Sequence, residues 1–373
     1  MTPGTSHTDF SRSVVALLGL PFDPVDIDRT VALLRTQMDE RKPCLWVTPN
    51  VNFVATIATD AAFRQALLKA DLSTVDGAPL LALARLLKLP LTQRVAGSDV
   101  FQALCRPRPD GRQNTVFLFG GPDGAAEQAH NALNRQAGGM RSVGWSSPGM
   151  GTVEDLSRPE QLDRMARSGA EFLLVALGAV KGHQWMDRNR EAAGIPILSH
   201  LGAVVNFVAG TSRRAPRRLQ RLGLEWLWRS LTEEGLWKRY ARDGLVLLRE
   251  CASALLPLAW KLRQWRTALS DARQGQWTLQ AQGASTHITL SGVVGRLQLP
   301  DARRQLQRLN QRPAPVSIDI DRLTGLDCEA MGLLLLVVGH QIKTGQPVHF
   351  LPCRPEARRV LRWHSSAGLL SLV

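Results

Sequence analysis

The sequence predicts an α/β protein: a mostly parallel sheet covered by helices, then a basic helical segment, then a second, smaller α/β unit. Three observations lead there. Between residues 14 and 210, short apolar runs ending in glycine or polar turns alternate with longer stretches at helical spacing, the mark of parallel strands buried on both faces. Cationic residues then crowd into residues 211–270. A further alternation of strand and helix fills roughly the last hundred residues, enough for a domain of its own. At 373 residues the chain exceeds one ordinary core. With 44% hydrophobic and 21% charged residues it has the composition of a folded protein.

In chain order, Leu45-Trp46-Val47 is the first clear strand and runs into Thr48. The apolar stretch from Ala70 to Val75 runs into Asp76. Thr115-Val116-Phe117-Leu118-Phe119 leads into Gly120-Gly121-Pro122-Asp123-Gly124, and Phe172-Leu173-Leu174-Val175-Ala176-Leu177 leads into Gly178. Ile195-Pro196-Ile197-Leu198 leads into Gly202. Residues 1–210 are therefore expected to form the first domain. In such sheets, ligands bind where strands end and polar loops begin.

Residues 211–270 hold thirteen arginines and lysines against five acidic residues, interleaved with Trp226, Trp228, Trp237, Trp260 and Trp265. Two readings stand. One is an interfacial membrane anchor, whose composition is basic, tryptophan-rich and leucine-rich. The other is a helical cap with core tryptophans and solvated arginines. Residues 271–276 read as a linker. Beyond it, residues 277–373 give strand Thr286-His287-Ile288-Thr289-Leu290, a helix over 302–310 and strand Val316-Ser317-Ile318-Asp319-Ile320. A helix over 329–343, strand Val348-His349-Phe350-Leu351 and a helix over 356–364 follow, in βαβαβα order.

Net charge is +14. That excess asks for a polyanionic partner: nucleic acid, phosphorylated substrate or anionic membrane. No helix-turn-helix, RNA-recognition or zinc pattern accompanies it, so nucleic acid ranks last. Cys44, Cys105, Cys251, Cys328 and Cys353 are scattered and odd in number, which indicates neither a zinc site nor a disulfide framework. Residues 1–13 lack a basic-then-apolar signal pattern. The longest apolar stretch, Cys251 to Trp260, falls short of the ~20 residues that span a bilayer. A cytoplasmic protein, peripheral at the inner face of the cell membrane, is the expectation.

Three motifs stand out in order: Thr48-Pro49-Asn50, Val75-Asp76-Gly77-Ala78-Pro79 and Arg94-Val95-Ala96-Gly97-Ser98-Asp99. Taken singly, Asp76-Gly77 is turn chemistry, and Asn50 starts and caps a helix. Together they resemble the signature of the WecG/TagA/CpsF glycosyltransferases. That resemblance implies a Rossmann-like catalytic domain and transfer of a sugar from a UDP-sugar donor to a polyprenyl-diphosphate-linked acceptor in surface or exopolysaccharide synthesis. It gives Asp76 the role of general base, sets Thr48 and Asn50 in the same pocket, and adds Arg94 and Asp99 to the binding set. Gly120 and Gly121, after a strand and before a helix, form a turn suited to nucleotide phosphate or ribose. Gly202 follows the last strand.

Gly178-Ala179-Val180-Lys181-Gly182-His183 falls where the family commonly shows GxPKQE. Lys181 is kept, while the proline, glutamine and glutamate positions hold Val180, Gly182 and His183; sugar or nucleotide selectivity is what this departure touches. Asp26-Ile27-Asp28 and Asp319-Ile320-Asp321 read as capping or surface carboxylates, not as a metal-binding pair. No metal or other cofactor is expected, and the leaving diphosphate then needs arginines. Arg214 of the Arg-Ala-Pro motif, Arg221 and Arg229 are the supply, in a run resembling the family's C-terminal appendage. That appendage implies membrane docking and completion of the active site.

Leu290-Ser291-Gly292, Ile318-Asp319-Ile320 and Asp327-Cys328-Glu329-Ala330-Met331-Gly332 resemble a STAS domain, the fold of anti-sigma-factor antagonists. The phospho-acceptor serine of that fold is here Glu329, a fixed charge that no kinase can switch. The resemblance implies docking to a protein partner, and transfer is expected to survive removal of residues 277–373. The competing function is a nucleotide-sugar-binding regulatory or scaffold protein that recruits its partner through the same unit.

Overall fold

The computed structural model describes residue 8 and residues 10–135, 138–212, 215–216, 225–232 and 236–371. It forms two compact units, each discontinuous in sequence. The central unit comprises Val25–Leu81 and Thr92–Tyr240. The flanking unit comprises Met1–Pro24, Ala82–Leu91 and Ala241–Val373. The compact units thus divide elsewhere than at residue 210: the residues before Val25, expected in the first domain, cluster with the C-terminal part of the chain.

The chain enters the flanking unit as a hairpin of β1 (Val15–Leu17) and β2 (Leu20–Phe22). Leu18 and Gly19 between them both have positive φ, as a two-residue turn matched to strand twist requires. From Val25 the chain runs α1 (Ile27–Asp39), β3 (Cys44–Val47), α2 (Val51–Ile57), α3 (Ala61–Leu68), β4 (Leu72–Ser73), α4 (Ala78–Leu86), whose residues from Ala82 on belong to the flanking unit, and α5 (Gly97–Leu104). It continues β5 (Asn114–Gly120), α6 (Ala125–Arg135), β6 (Met140–Ser146), α7 (Pro159–Arg167), β7 (Phe172–Ala176), α8 (Ala179–Asn189), β8 (Ile197–His200) and α9 (Gly202–Ala209). Asp26 caps α1 by accepting the Arg29 N–H at 2.7 Å, the ordinary role expected of it.

The six central strands pair in the order β4-β3-β8-β7-β5-β6, every neighbour parallel. All five residues of β7 are buried, as are all four of β3. Trp46, Phe101 and Phe172 lock the layers: Phe172 meets Trp46 at 6.4 Å and Phe101 at 6.0 Å between ring centroids, both edge to face. Each such ring, fully buried, contributes about 1.5–3 kcal/mol. Strand β8 starts at Ile197, two residues after the expected point. Pro196 has no N–H to give the ladder, and its carbonyl instead accepts from Cys44 at 2.9 Å.

The flanking unit has a five-stranded sheet, in which β9 (Gly275–Gln282), β10 (Ser285–Val294), β11 (Val316–Asp319), β12 (Leu323–Leu326) and β13 (Val348–Phe350) take part. The order is β12-β10-β11-β13, with β9 antiparallel to β10. Two of these strands were absent from the expected βαβαβα order. The segment read as a linker ends in β9, and β12 lies just before the helix Cys328–Thr344. Asp319 accepts the Asp321 N–H at 2.9 Å, so this Asp-x-Asp pair is a turn. The helix is buried from Ala330 through Gln341, and a helix apolar all round needs cover on every side. The hairpin supplies one side. A Cβ on Gly332 would stand 2.7 Å from the Val14 carbonyl oxygen, and Phe10 packs on His340 at 5.2 Å.

Of the basic segment, helices Glu225–Thr232, Leu236–Glu250 and Leu256–Gln264 are described, the last two joined by a π-helical turn, Cys251–Leu255. Trp226, Trp237 and Trp260 are exposed, the last two by 59% and 57%. Trp265 is half-buried against Trp363 at 5.8 Å. From Ala241 on, the exposed positions include Leu245, Leu248, Ala252, Leu256 and Trp260, an apolar stripe at helical spacing flanked by Arg242, Arg249 and Arg263. Among the described residues no helix is long and apolar enough to cross a membrane.

Candidate active site

The loops that carry the three motifs all follow carboxyl ends of the parallel strands or adjoin them. Thr48 follows β3, Asp76 follows β4, Gly121 follows β5, Gly178 follows β7 and Leu201 follows β8. Because the strands are parallel, these loops share one edge of the central sheet, where such folds hold ligands.

Backbone contacts draw the motifs into a closed set. The Thr74 N–H donates to Val47 at 3.0 Å and the Asp76 N–H to Pro49 at 3.0 Å, fixing the second motif beside the first. The Val95 N–H donates to Val75 at 2.8 Å, and the Thr74 hydroxyl donates to Val95 at 3.2 Å, fixing the third beside the second. Gly97 completes the set. A Cβ there would lie 3.4 Å from Thr48 Cγ2 and 2.3 Å from Leu201 Cδ2. Only glycine lets α5 begin this close to Thr48 and to the turn after β8. Thr48 is buried, and Asp76 is half-buried beside Gly77, whose φ of 114° is open to glycine and little else.

The remaining sequence-predicted residues divide. Asn50 caps α2, its side chain accepting from the Asn52 N–H at 3.0 Å. Arg94 donates to Asp99 at 2.7 Å, so these two residues meet as an ion pair within their motif. Lys181, in the first turn of α8, donates to the Gly151 carbonyl at 2.6 Å and so ties down the loop after β6. Gly202 opens α9. Gly120 and Gly121 both have positive φ, and a Cβ on Gly120 would stand 2.6 Å from the Ala176 oxygen. The Gly121 N–H donates to that same oxygen at 2.8 Å, so it is committed to the turn. Arg214 and Arg221 lie outside the described residues. Arg229 falls in the helix Glu225–Thr232, with its side chain outside the description.

His183, which the sequence places at the glutamate position of the Gly178–His183 motif, meets at the same edge a residue that motif reading passed over, His200. His183, in α8, and His200, at the end of β8, lie with ring centroids 5.3 Å apart and planes tilted by 48°. His183 also packs edge-on against Phe53 and Phe63, and its Nδ1 lies 2.7 Å from the Ala179 carbonyl. Burial pushes His183 down to about 4 and His200 to about 3, the latter helped by the neighbouring ring, so both are neutral at physiological pH. The Nε2 of each is shielded from solvent without a hydrogen-bond partner. The signal was Gly182, a glycine inside a helix's first turn: a Cβ there would be 2.3 Å from His200 Cδ2.

The strand ends and loops along this edge of the sheet carry a carboxylate (Asp76), a buried hydroxyl (Thr48) and, at His183 and His200, two neutral imidazoles. Such a set suits proton transfer from an alcohol and recognition of a polar, hydroxyl-rich substrate. The model of the Glycosyl transferase WecG/TagA/CpsF family matches residues 15–260, a span that holds all three motifs. An N-acetylglucosaminyldiphosphoundecaprenol N-acetyl-beta-D-mannosaminyltransferase of Bacillus spizizenii is 27% identical over 204 residues, which cover 55% of this chain and 77% of that protein. Among solved structures, a GTP-binding protein of Sulfolobus solfataricus in complex with GDP covers 68% of this chain and 99% of its own, at 12% identity and a TM-score of 0.21. An SsGBP–GDP complex is similar at 11% identity and a TM-score of 0.20, covering 69% and 100%. Scores this low say nothing about the fold.

Proposed function

Because the chain belongs to the WecG/TagA/CpsF glycosyltransferase family, we propose that it moves a hexose from a UDP-sugar to a polyprenyl-diphosphate-linked sugar, with inversion and without a metal. The donor sugar is of the N-acetylmannosamine, uronic acid or glucose type, and the product enters a bacterial surface or exopolysaccharide. The similarity to an enzyme named for mannosaminyl transfer onto an undecaprenol-diphosphate sugar supports this reading. The closed set of Thr48, Asp76 and Gly97 carries it: the backbone of Val75-Asp76 is tied to the other two motifs, to Pro49 and to Val95, at the edge where such sheets hold ligands.

In this mechanism Asp76 takes the proton of the acceptor hydroxyl as it attacks the anomeric carbon, and the UDP leaves from the opposite face. Thr48 and Asn50 line the pocket, and the turn at Gly120 and Gly121 gives the nucleotide its clearance. Arg94, Lys181 and the appendage arginines Arg214, Arg221 and Arg229 meet the diphosphate charge as it develops. Among the described residues no group of three or more His, Cys, Asp or Glu side chains gathers to hold a cation.

The exposed tryptophans and the apolar stripe flanked by arginines support peripheral docking at an anionic membrane, where the lipid-linked acceptor resides. The C-terminal sheet and helices act as a STAS-like docking module for a protein partner. Asp327 caps the helix Cys328–Thr344, accepting the Ala330 N–H at 2.7 Å, and Glu329 follows in its first turn.

The test is UDP release from a panel of UDP-sugars with a polyprenyl-diphosphate-GlcNAc analogue, in EDTA, comparing the parent with Asp76→Asn. The variant should lose ~10²–10⁴-fold in kcat, as expected for a lost general base, and keep its UDP affinity. Activity within about threefold of the parent removes Asp76 from the role. Loss in EDTA with rescue by Mn²⁺ refutes metal independence. Donor binding without turnover supports the scaffold reading instead.

A further inference from the structure

The departure at residues 178–183 and the pairing of buried His183 with half-buried His200 are one feature. Gly182 stands where the family commonly has glutamine, and the space a side chain would fill there is occupied by His200, whose Cδ2 lies 2.3 Å from the Cβ position of Gly182. The same ring edge faces Gly202, with Cε1 and Nε2 at 3.4 and 3.6 Å from its Cβ position. The Cδ2–Nε2–Cε1 edge of His200 is thus held between the first turns of α8 and α9. That is where strands β7 and β8 deliver their loops to the ligand edge. On its far side α9 carries Val205 against the turn at Gly121, 3.2 Å from the Cβ position there.

A buried polar atom with no partner is uncommon, because it forfeits a hydrogen bond that water would have made. Here two belong to neighbouring rings, the Nε2 atoms of His183 and His200. His183 has its other nitrogen 2.7 Å from the Ala179 carbonyl and is boxed in by Phe53 and Phe63, which makes it a support for its neighbour. His200 is the one set between two helix starts. Its neutral ring supplies one donor or acceptor and no charge, so it suits a hydroxyl or acylamino group rather than a phosphate.

We propose that His200, given room by Gly182, reads the sugar of the nucleotide-sugar donor through its Nε2, in place of the glutamine absent at position 182. This rests on the glycosyltransferase reading above. The imidazole forms no covalent bond and moves no proton; it sets which hexose is accepted and how it is oriented.

The experiment measures kcat and KM for each UDP-sugar in the panel, together with inhibition by UDP alone, for the parent, His200→Phe and Gly182→Ala. Phenylalanine keeps a ring against Gly182 and removes the nitrogen. Alanine keeps His200 but drives its ring aside. Leaving one substrate group unpaired should lower kcat/KM for the preferred donor about tenfold to a hundredfold in both variants, with preference among donors narrowed. Inhibition by UDP should stay within about twofold, because the contact is to the sugar. Unchanged donor preference and kcat/KM in both variants overturns the proposal. So does a parallel loss of UDP affinity, which marks the ring as structural. A parent that releases UDP from no donor, while binding none, overturns the glycosyltransferase reading and this inference with it.

Discussion

Replacing Gly97 with alanine tests whether the meeting point of the three motif loops governs transfer. The new β-carbon would stand 2.3 Å from Leu201 Cδ2 and 3.4 Å from Thr48 Cγ2, whereas carbon atoms rest at about 3.5–4.0 Å. Leu201 is only 4% exposed and sits directly before α9, so it has little open space to move into. Overpacking of this kind costs about 1–3 kcal/mol. Against it, alanine restrains the unfolded chain, a gain of about 0.4–1 kcal/mol. The clash wins, leaving a net loss of about 1–2 kcal/mol, or about 2–8 °C in Tm for a unit of this size. Activity should suffer more than stability, since a displacement of about 1 Å at reacting groups costs ~10²-fold. Thermal unfolding and UDP release on the same preparation give both numbers. Adding Leu201→Val removes the opposing δ-carbons and should restore part of each loss. A Gly97→Ala protein with parental Tm and rate, or a double variant no better than the single, refutes the reasoning.

Two further outcomes are expected. The chain should sediment with anionic vesicles and less so at high salt, each basic residue near the surface contributing about 1 kcal/mol; serine at Leu248 and Trp260 should weaken it, and equal binding to neutral vesicles refutes membrane docking by this segment. Stability should fall on acidification from pH 7 to 5. His183, His200 and His364 are held by burial at about 4, about 3 and about 4, while unfolded imidazoles protonate near 6.5, so their contribution is full above that value and drains as pH falls toward 4. Asp327 runs the other way, raised by burial to about 6, so its stabilisation is present at low pH and is lost as pH rises from about 4 to 6. Three imidazoles outweigh one carboxyl. Unfolding near pH 5.5 then takes up on the order of two protons, about 1.4 kcal/mol per proton per pH unit; a Tm flat between pH 7 and 5 counts against neutral burial.

The parts of the fold that were legible are those where burial leaves a continuous signature. Strands β3 and β7 are apolar throughout, and β5 is so from Val116 to Phe119, because both faces are covered. Strand β6 was missed: it is an edge strand with half-exposed positions, and Met140-Arg141-Ser142-Val143-Gly144-Trp145-Ser146 has no apolar run. Strand β9 was missed for the same reason, its outer residues Gln280 to Gln282 facing solvent. The neighbourhood of Thr48 and Asp76 was readable because both end strands. The pairing of His183 with His200 was not, because it depends on the β7–β8 register and on a missing side chain at Gly182. Membership of the flanking unit was beyond local pattern altogether. Deleting residues 277–373, which transfer is expected to survive, also removes the helix Cys328–Thr344 that packs on a hairpin whose six strand residues are all buried.

That hairpin sets a timetable for biosynthesis. Thr8 Oγ1 lies 3.1 Å from His340 Nδ1, a partner 332 residues further along the chain. A ribosome adding about 5–20 residues per second delivers the later residue on the order of tens of seconds after the earlier one. Every residue of the central unit emerges in the interval, so that unit can close while the hairpin waits. Strands of three residues do not hold together unaided, and an apolar segment left waiting is the kind of sequence that chaperones and proteases recognise. A chain that stops short of Cys328–Thr344 would display it permanently. Completeness at one end is thereby reported at the other.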